Sequence, residues 1–257
     1  MIAAKLKHFL QRRFPRQFSF VQARLSPDDV FGLHLTMGAV VLAGAAWLFG
    51  GISEDLITGD PLILVDALIS EWFRLHATPG FTKQMQWVSA LASITTVSIL
   101  CVLMSCIFLW KRLWYWLLGL VSVVAGGILL NVLLKNLFAR ARPGWADPLM
   151  ALTDPGFPSG HVMMATIIYG FMAVYLILKI ASWRWRFVIA TLTILLVFVV
   201  ALSRMYLGAH YLSDVLAAMA AGIAWLALCL TAVETLRRRR GFNPGALRPA
   251  VYINESR

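Results

Sequence analysis

Six stretches of this chain stay apolar for about the length that a helix needs to cross a lipid bilayer, and that constrains its fold more than any other feature. The hydrocarbon core is about 30 Å thick, and a helix rising about 1.5 Å per residue crosses it in about 20 residues. The stretches lie near residues 30–50, 87–110, 113–138, 161–180, 187–205 and 212–236. Inside lipid every backbone amide must be satisfied within the chain, so each stretch is predicted to be a helix. The expected fold is all-α, a polytopic membrane bundle of six transmembrane helices. One membrane domain is expected over residues 30–236, between a basic N-terminal segment, 1–29, and a basic tail, 237–257. The first stretch begins late and is long, which fits an uncleaved span and not a removed leader.

A net charge of +11 raises the question of nucleic acid, and the placement of the charges answers it. The N-terminal segment, the Lys111-Arg112 turn, the Lys179–Arg186 turn and the tail hold 17 basic residues and, with Glu234 at the adjoining end of the last span, four acidic ones. The segments at the opposite ends of the spans hold six basic and eight acidic residues. This asymmetry is the positive-inside signature of a membrane protein, with both termini cytoplasmic, and no nucleic-acid partner is expected. The basic tail is also placed to touch anionic lipid heads. Cys101, Cys106 and Cys229 lie inside apolar runs and fit neither a disulfide framework nor a zinc site; they read as packing residues. Between the first two spans, Asp66, Ser70 and Arg74 recur every four residues opposite Leu64, Leu68, Ile69 and Trp72. That pattern predicts an amphipathic extracytoplasmic helix, either lying on the outer membrane surface or packed against the protein as an ordinary extracellular helix.

Charge at the edge of a span is costly, and the chain gathers it on one side. At the end of the third span, in "KNLFARARP", Lys135 and Arg142 stand seven residues apart and share a face if the helix continues that far; Asn131 lies on the same face. Pro143 marks the end of that span. The fourth span opens at "PSGH", where Ser159 is placed to cap the helix and the amides from Gly160 onward form an anion cradle beside His161. In "SRMYLGAHYLSD" Gly208 permits a tight turn, Arg204 adds a cation, and Asp214 stands four residues after His210, within reach of one ring nitrogen. Cations, amides and two histidines make a site for a phosphoryl group, whose charge they stabilise. One histidine can attack phosphorus while the other protonates the departing oxygen.

The pattern resembles the type 2 phosphatidic acid phosphatase superfamily, which includes integral-membrane lipid phosphate phosphatases and soluble vanadium haloperoxidases. Its three signatures match Lys135 with Arg142-Pro143, then Pro158-Ser159-Gly160-His161, then Ser203-Arg204 with His210 and Asp214, in order and with the family's spacing. The resemblance implies an all-helical bundle in which His210 is the nucleophile and forms a phosphohistidine, with Asp214 orienting it. It implies that His161 protonates the leaving group and then activates water. Lys135, Arg142, Ser159, Gly160 and Arg204 would hold the phosphoryl oxygens, with no metal and no cofactor.

The expected protein is a lipid phosphatase of a bacterial plasma membrane with its site on the outer face. Its expected partners are the bilayer and a phosphorylated lipid: undecaprenyl pyrophosphate, phosphatidylglycerophosphate or phosphatidic acid. A phosphotransferase that passes the group to another lipid such as lipid A is the near alternative, and a non-catalytic lipid-binding or flipping protein is the alternative from another class. The intact histidine pair argues against the last. The apolar spans exclude a soluble haloperoxidase.

Overall fold

The computed structural model of the chain describes residues 13–15, 24, 32–59, 61–145 and 154–241. Among them the regular structure is helical: α1 (Leu33–Thr58), α2 (Pro61–His76), α3 (Pro79–Ala90), α4 (Ile94–Trp110), α5 (Trp114–Phe138), α6 (Gly160–Lys179), α7 (Trp183–Tyr206) and α8 (Leu212–Gly241). Six helical stretches are long and apolar enough to cross a membrane, with α3 and α4 together forming one of them, Pro79–Trp110. The all-α, six-span expectation therefore holds, with differences in extent. The first helix runs on to Thr58, and the second span starts at Pro79, earlier than its apolar run, because its first turns are polar. A break at residues 91–93 divides that span, and Ser93 restarts it by accepting the amide of Thr96 at 3.3 Å. Most of the basic segment 1–29 and residues 242–257 of the tail lie outside the described residues.

The chain divides into two units, Met1–Met37 with Thr231–Arg257, and Gly38–Leu230. In the first, His34 Nε2 lies 3.3 Å from Thr235 Oγ1, and Glu234 pairs with Arg237 and Arg238 at 2.7 Å each. In the second, α6 packs against α4, α5 and α7, while α7 also carries α2 and α3. Lipid is as apolar as a leucine side chain, so close packing holds membrane helices together more than apolar burial does. Gly126 and Gly127 show how close α5 comes to its neighbours. A Cβ at Gly126 would stand 2.1 Å from the Trp225 ring of α8, and one at Gly127 would stand 2.5 Å from Ile167 of α6. The Trp225 indole donates to the Val123 carbonyl at 3.1 Å, so its polar edge is satisfied where it is half-buried. Large side chains on the outer faces, such as Ile99, Val102, Leu129, Leu133, Ile194 and Phe198, are exposed, as a lipid-facing surface requires.

Helix α2 departs from the picture of a surface helix with its polar stripe in water. Asp66 is buried, and Ser70 accepts a hydrogen bond from the Trp145 indole at 2.8 Å. Only Arg74 at the end of the stripe stays exposed, paired with Glu71. The helix is amphipathic as expected, but its polar stripe is turned into the protein. Leu64, Leu68, Trp72 and Leu75 remain exposed along its other face. The reason is an arginine that α2 meets behind the candidate site.

Candidate active site

The polar residues predicted from the sequence gather where α5 and α7 end and α6 and α8 begin. Their routes there are partly unforeseen. Helix α5 does not continue to Arg142. It stops at Phe138, with Ala139 in the left-handed region at φ 44°, a conformation that costs a non-glycine residue about 1–2 kcal/mol. The chain after Ala139 turns back, and Arg142 reaches the site from a loop. Lys135 comes from the last turn of α5, and the two cations meet on one anion, the Asp154 carboxylate. Lys135 Nζ binds its Oδ2 and also the Pro155 carbonyl at 2.6 Å. Arg142 Nη2 binds its Oδ1 at 2.8 Å, while Nε takes the Asp154 carbonyl at 2.9 Å. Partial burial pushes the Asp154 carboxyl up, but Lys135 and Arg142 outweigh it and hold the group down at about 2. Two cations thus converge on one pair of carboxylate oxygens, an arrangement equally suited to two oxygens of a phosphoryl group.

The Pro158-Ser159-Gly160-His161 turn is fixed from below. Phe157 is buried between Phe49 and Phe138, with ring centroids 6.0 and 4.8 Å away, and Asn131 directs its amide at the Pro158 carbonyl at 3.5 Å. The Ser159 amide donates to the Asp214 carbonyl at 3.1 Å, which ties the start of α6 to the start of α8. Ser159 occupies the position before α6, as expected, but its hydroxyl does not cap the helix. Its Oγ is buried without a hydrogen-bond partner among the described residues, and so is Nε of Arg204. A buried polar atom left unpaired costs about 1–3 kcal/mol, and a phosphoryl oxygen is the kind of acceptor both donors lack. Arg204 is oriented by its Nη1, which donates to Ser89 Oγ of α3 at 2.8 Å. At Gly160 a Cβ would come within 3.2 Å of Asn131 Oδ1 and 4.0 Å of Lys135 Cε, so a side chain there would crowd the Lys135 wall.

His210 lies in the turn between α7 and α8, made possible by Gly208 at φ 66° and shielded by Trp145; a Cβ at Gly208 would meet that ring at 2.8 Å. The imidazole is buried. Its Nδ1 is 2.8 Å from the Gly156 carbonyl, an acceptor, so Nδ1 carries the proton and Nε2 keeps its lone pair. Asp214 Oδ2 is 3.6 Å from Nδ1, beyond hydrogen-bond length, so the carbonyl is the nearer partner. Asp214 also closes the first turn of α8, where from the third position of the helix its Oδ2 accepts the Tyr211 amide at 2.8 Å. Arg142 Nη1 donates to the Ala209 carbonyl at 2.8 Å and points at His210 Nε2 from 3.1 Å. Burial lowers the His210 pKa to about 4 against the opposing pull of Asp214, which keeps the ring neutral near pH 7. His161, second residue of α6, is half-buried, and its ring makes no hydrogen bond among the described residues. Arg204, His210, Arg142 and Lys135 all lie near enough to act on it electrostatically.

All eight predicted site residues therefore belong to one constellation. The structure adds Asp154, and behind Asp214 it adds Arg140 and Asp66. Arg140 stands two residues before Arg142 in "RARP", and an extended segment places alternate residues on one side, a signal that the sequence did carry. Among the described residues, no three of histidine, cysteine, aspartate and glutamate come together as a metal site.

The model of the PAP2 superfamily matches residues 114–238. Phosphatidylglycerophosphatase B of Bacillus subtilis (strain 168) is 31% identical over 178 residues, which cover 68% of this chain and 86% of that protein. The crystal structure of the PAP2-type phosphatidylglycerolphosphate phosphatase from Bacillus subtilis superposes with a TM-score of 0.62 at 26% identity, covering 75% of this chain and 94% of the other. Aquifex aeolicus LpxE superposes with a TM-score of 0.52 at 19% identity, covering 65% and 94%, and shares the fold.

Proposed function

The chain belongs to the PAP2 superfamily and is a membrane phosphatase of that family, and from this premise we propose that it hydrolyses a phosphate or diphosphate ester of a membrane lipid through a phosphohistidine on His210, without a metal. The observation that carries the reading is the state of His210: a neutral ring with its proton held on Nδ1 by the Gly156 carbonyl and Nε2 turned to Arg142. Nε2 attacks phosphorus as the bond to the lipid oxygen breaks, and His161 gives that oxygen a proton. His161 then takes a proton from water, whose oxygen attacks the phosphorus, and the N–P bond breaks to release phosphate. Lys135, Arg142, Ser159, the Gly160 amide and Arg204 hold the equatorial oxygens, where charge is greatest in the transition state. Asp154 leaves Lys135 and Arg142 as the phosphoryl group arrives.

The candidate substrates are phosphatidylglycerophosphate, undecaprenyl pyrophosphate and phosphatidic acid; similarity to a phosphatidylglycerophosphatase supports the first. Purified protein in detergent with each lipid, free of divalent metal, is expected to release phosphate, and the His210→Ala variant to release none. Activity retained in that variant contradicts the mechanism, and release that needs a second lipid as acceptor contradicts hydrolysis. The charge asymmetry supports a site on the outer face of a bacterial plasma membrane with both termini inside. A cysteine replacing exposed Ala77, with the three native cysteines removed, is then labelled by an impermeant thiol reagent on intact cells. Labelling only after lysis reverses the orientation.

A further inference from the structure

Arg140 and Asp66 stand outside the three signatures, yet they form the wall behind His210. Arg140 Nη1 donates to Asp214 Oδ1 and to Ser213 Oγ, both at 2.6 Å, and Nη2 donates to Asp66 Oδ2 at 2.7 Å. Its guanidinium lies over the Tyr211 ring, 4.5 Å from the centroid. Asp66, brought in by α2, accepts the Ser213 amide at 2.9 Å and also the Ser213 hydroxyl. Asp66 and Asp214 are both fully buried, and this one guanidinium pairs with both. Two buried carboxylates that share one guanidinium would repel one another without the cation between them. Burial pulls the Arg140 pKa down, but Asp214 and Asp66 outweigh it and carry it above the ordinary value, so the cation between them persists.

The consequence falls on Asp214. Arg140 holds its Oδ1 and the Tyr211 amide holds its Oδ2, so the carboxylate cannot rotate, and Oδ2 stays at its 3.6 Å station beside His210 Nδ1. We propose that Arg140 and Asp66 are positioning residues, which fix Asp214 and through it the ring of His210 for attack on phosphorus. The proposal rests on the reading of His210 as the nucleophile. It also accounts for the inward polar face of α2, because a lipid-surface helix with no part in the site has no reason to bury an aspartate.

The test is steady-state phosphate release from phosphatidic acid in mixed micelles across pH. The charged and titratable groups facing His210 are Arg142 from the loop, Asp214 from α8, Arg204 from α7 and His161 from α6, with Lys135 and Asp154 beyond Arg142. All stay in place in the variants. Arg140→Gln is expected to lower kcat about 10–100-fold with KM and inhibition by inorganic phosphate within about twofold of the parent. Removing this cation also raises the His210 pKa, so the acid limb of kcat/KM moves to higher pH. Asp66→Asn removes an anion and moves that limb to lower pH, with a smaller loss of kcat. Arg140→Lys, which keeps the charge, restores the limb. In the Arg140→Gln/Asp66→Asn double variant kcat matches Arg140→Gln alone, since Asp66 acts through Arg140.

Unchanged kcat in Arg140→Gln overturns the proposal. So does a fall in kcat with an unmoved acid limb, which is the mark of less folded protein, and so do additive losses in the double variant. If Arg140→Gln does not fold, Asp66→Asn and Arg140→Lys decide by the direction of the limb. An inactive His210→Ala beside a fully active Arg140→Gln overturns the positioning role alone, whereas an active His210→Ala overturns the nucleophile reading beneath it.

Discussion

His210 and His161 belong to one cluster of charged and polar side chains but sit in two differently built regions. The turn that carries His210 is locked: Nδ1 is held by the Gly156 carbonyl, Nε2 faces Arg142, and Asp214 behind the ring is itself clamped by Arg140. The mouth of α6, which carries His161, is fastened through its backbone and through Phe157, while the His161 ring is half-buried and makes no hydrogen bond among the described residues. A nucleophile gains from being fixed, because a group already aligned for attack spends no entropy in finding its place. A group that must deliver a proton to a departing oxygen and then collect one from water gains from access to both.

The largest way to sharpen that contrast is to remove His161, the proposed proton donor. His161→Ala is expected to lose about 10²–10⁴-fold in kcat on an alkyl phosphate. It should lose far less on para-nitrophenyl phosphate, whose leaving group needs no proton. Equal losses on both substrates would place His161 outside proton transfer and erase the contrast. A middle effect is expected at Ser159, whose hydroxyl has no partner among the described residues. Ser159→Ala removes one hydrogen bond to a charged phosphoryl oxygen, about 1.5–3 kcal/mol or roughly 10–150-fold in kcat/KM. Because the hydroxyl caps no hydrogen bond in the free protein, thermal stability should not fall; a destabilised variant would reveal a structural role instead. The smallest effect is expected at Asp154, which pairs with Lys135 and Arg142 and, on the proposed reading, competes with substrate for them. Its side chain is 53% exposed, so the competition is screened, and Asp154→Asn should lower KM by about fivefold at most. A raised KM would show that Asp154 helps the site to form.

The locked region was harder to foresee than its histidine. Lys135, His161, Arg204, His210 and Asp214 announce themselves because each is a polar residue at the edge of an apolar run, where charge is costly unless it serves a function. The six helices were legible for the same reason. The apolar run of the third span ends at residue 138, but nothing local showed that the helix would end with it and not run on toward Arg142, since the residue in the left-handed conformation is an alanine and not a glycine. Nor could periodicity tell whether the stripe of Asp66, Ser70 and Arg74 faced water or protein. Helical spacing fixes which residues share a face, but what covers that face depends on Arg140, 74 residues away in the chain. Asp154 likewise gains its place only when the loop folds back on Lys135 and Arg142.

The central claim is that phosphorus passes through His210. Rapid quench of the His161→Ala variant with 32P-labelled phosphatidic acid, or of the parent early in turnover, tests it directly. The account predicts a phosphoryl adduct stable to base and labile to acid, mapped to the peptide containing His210 and absent in His210→Ala. An adduct on any other residue, or turnover of the parent with no adduct while water attacks phosphorus in a single step, would contradict it.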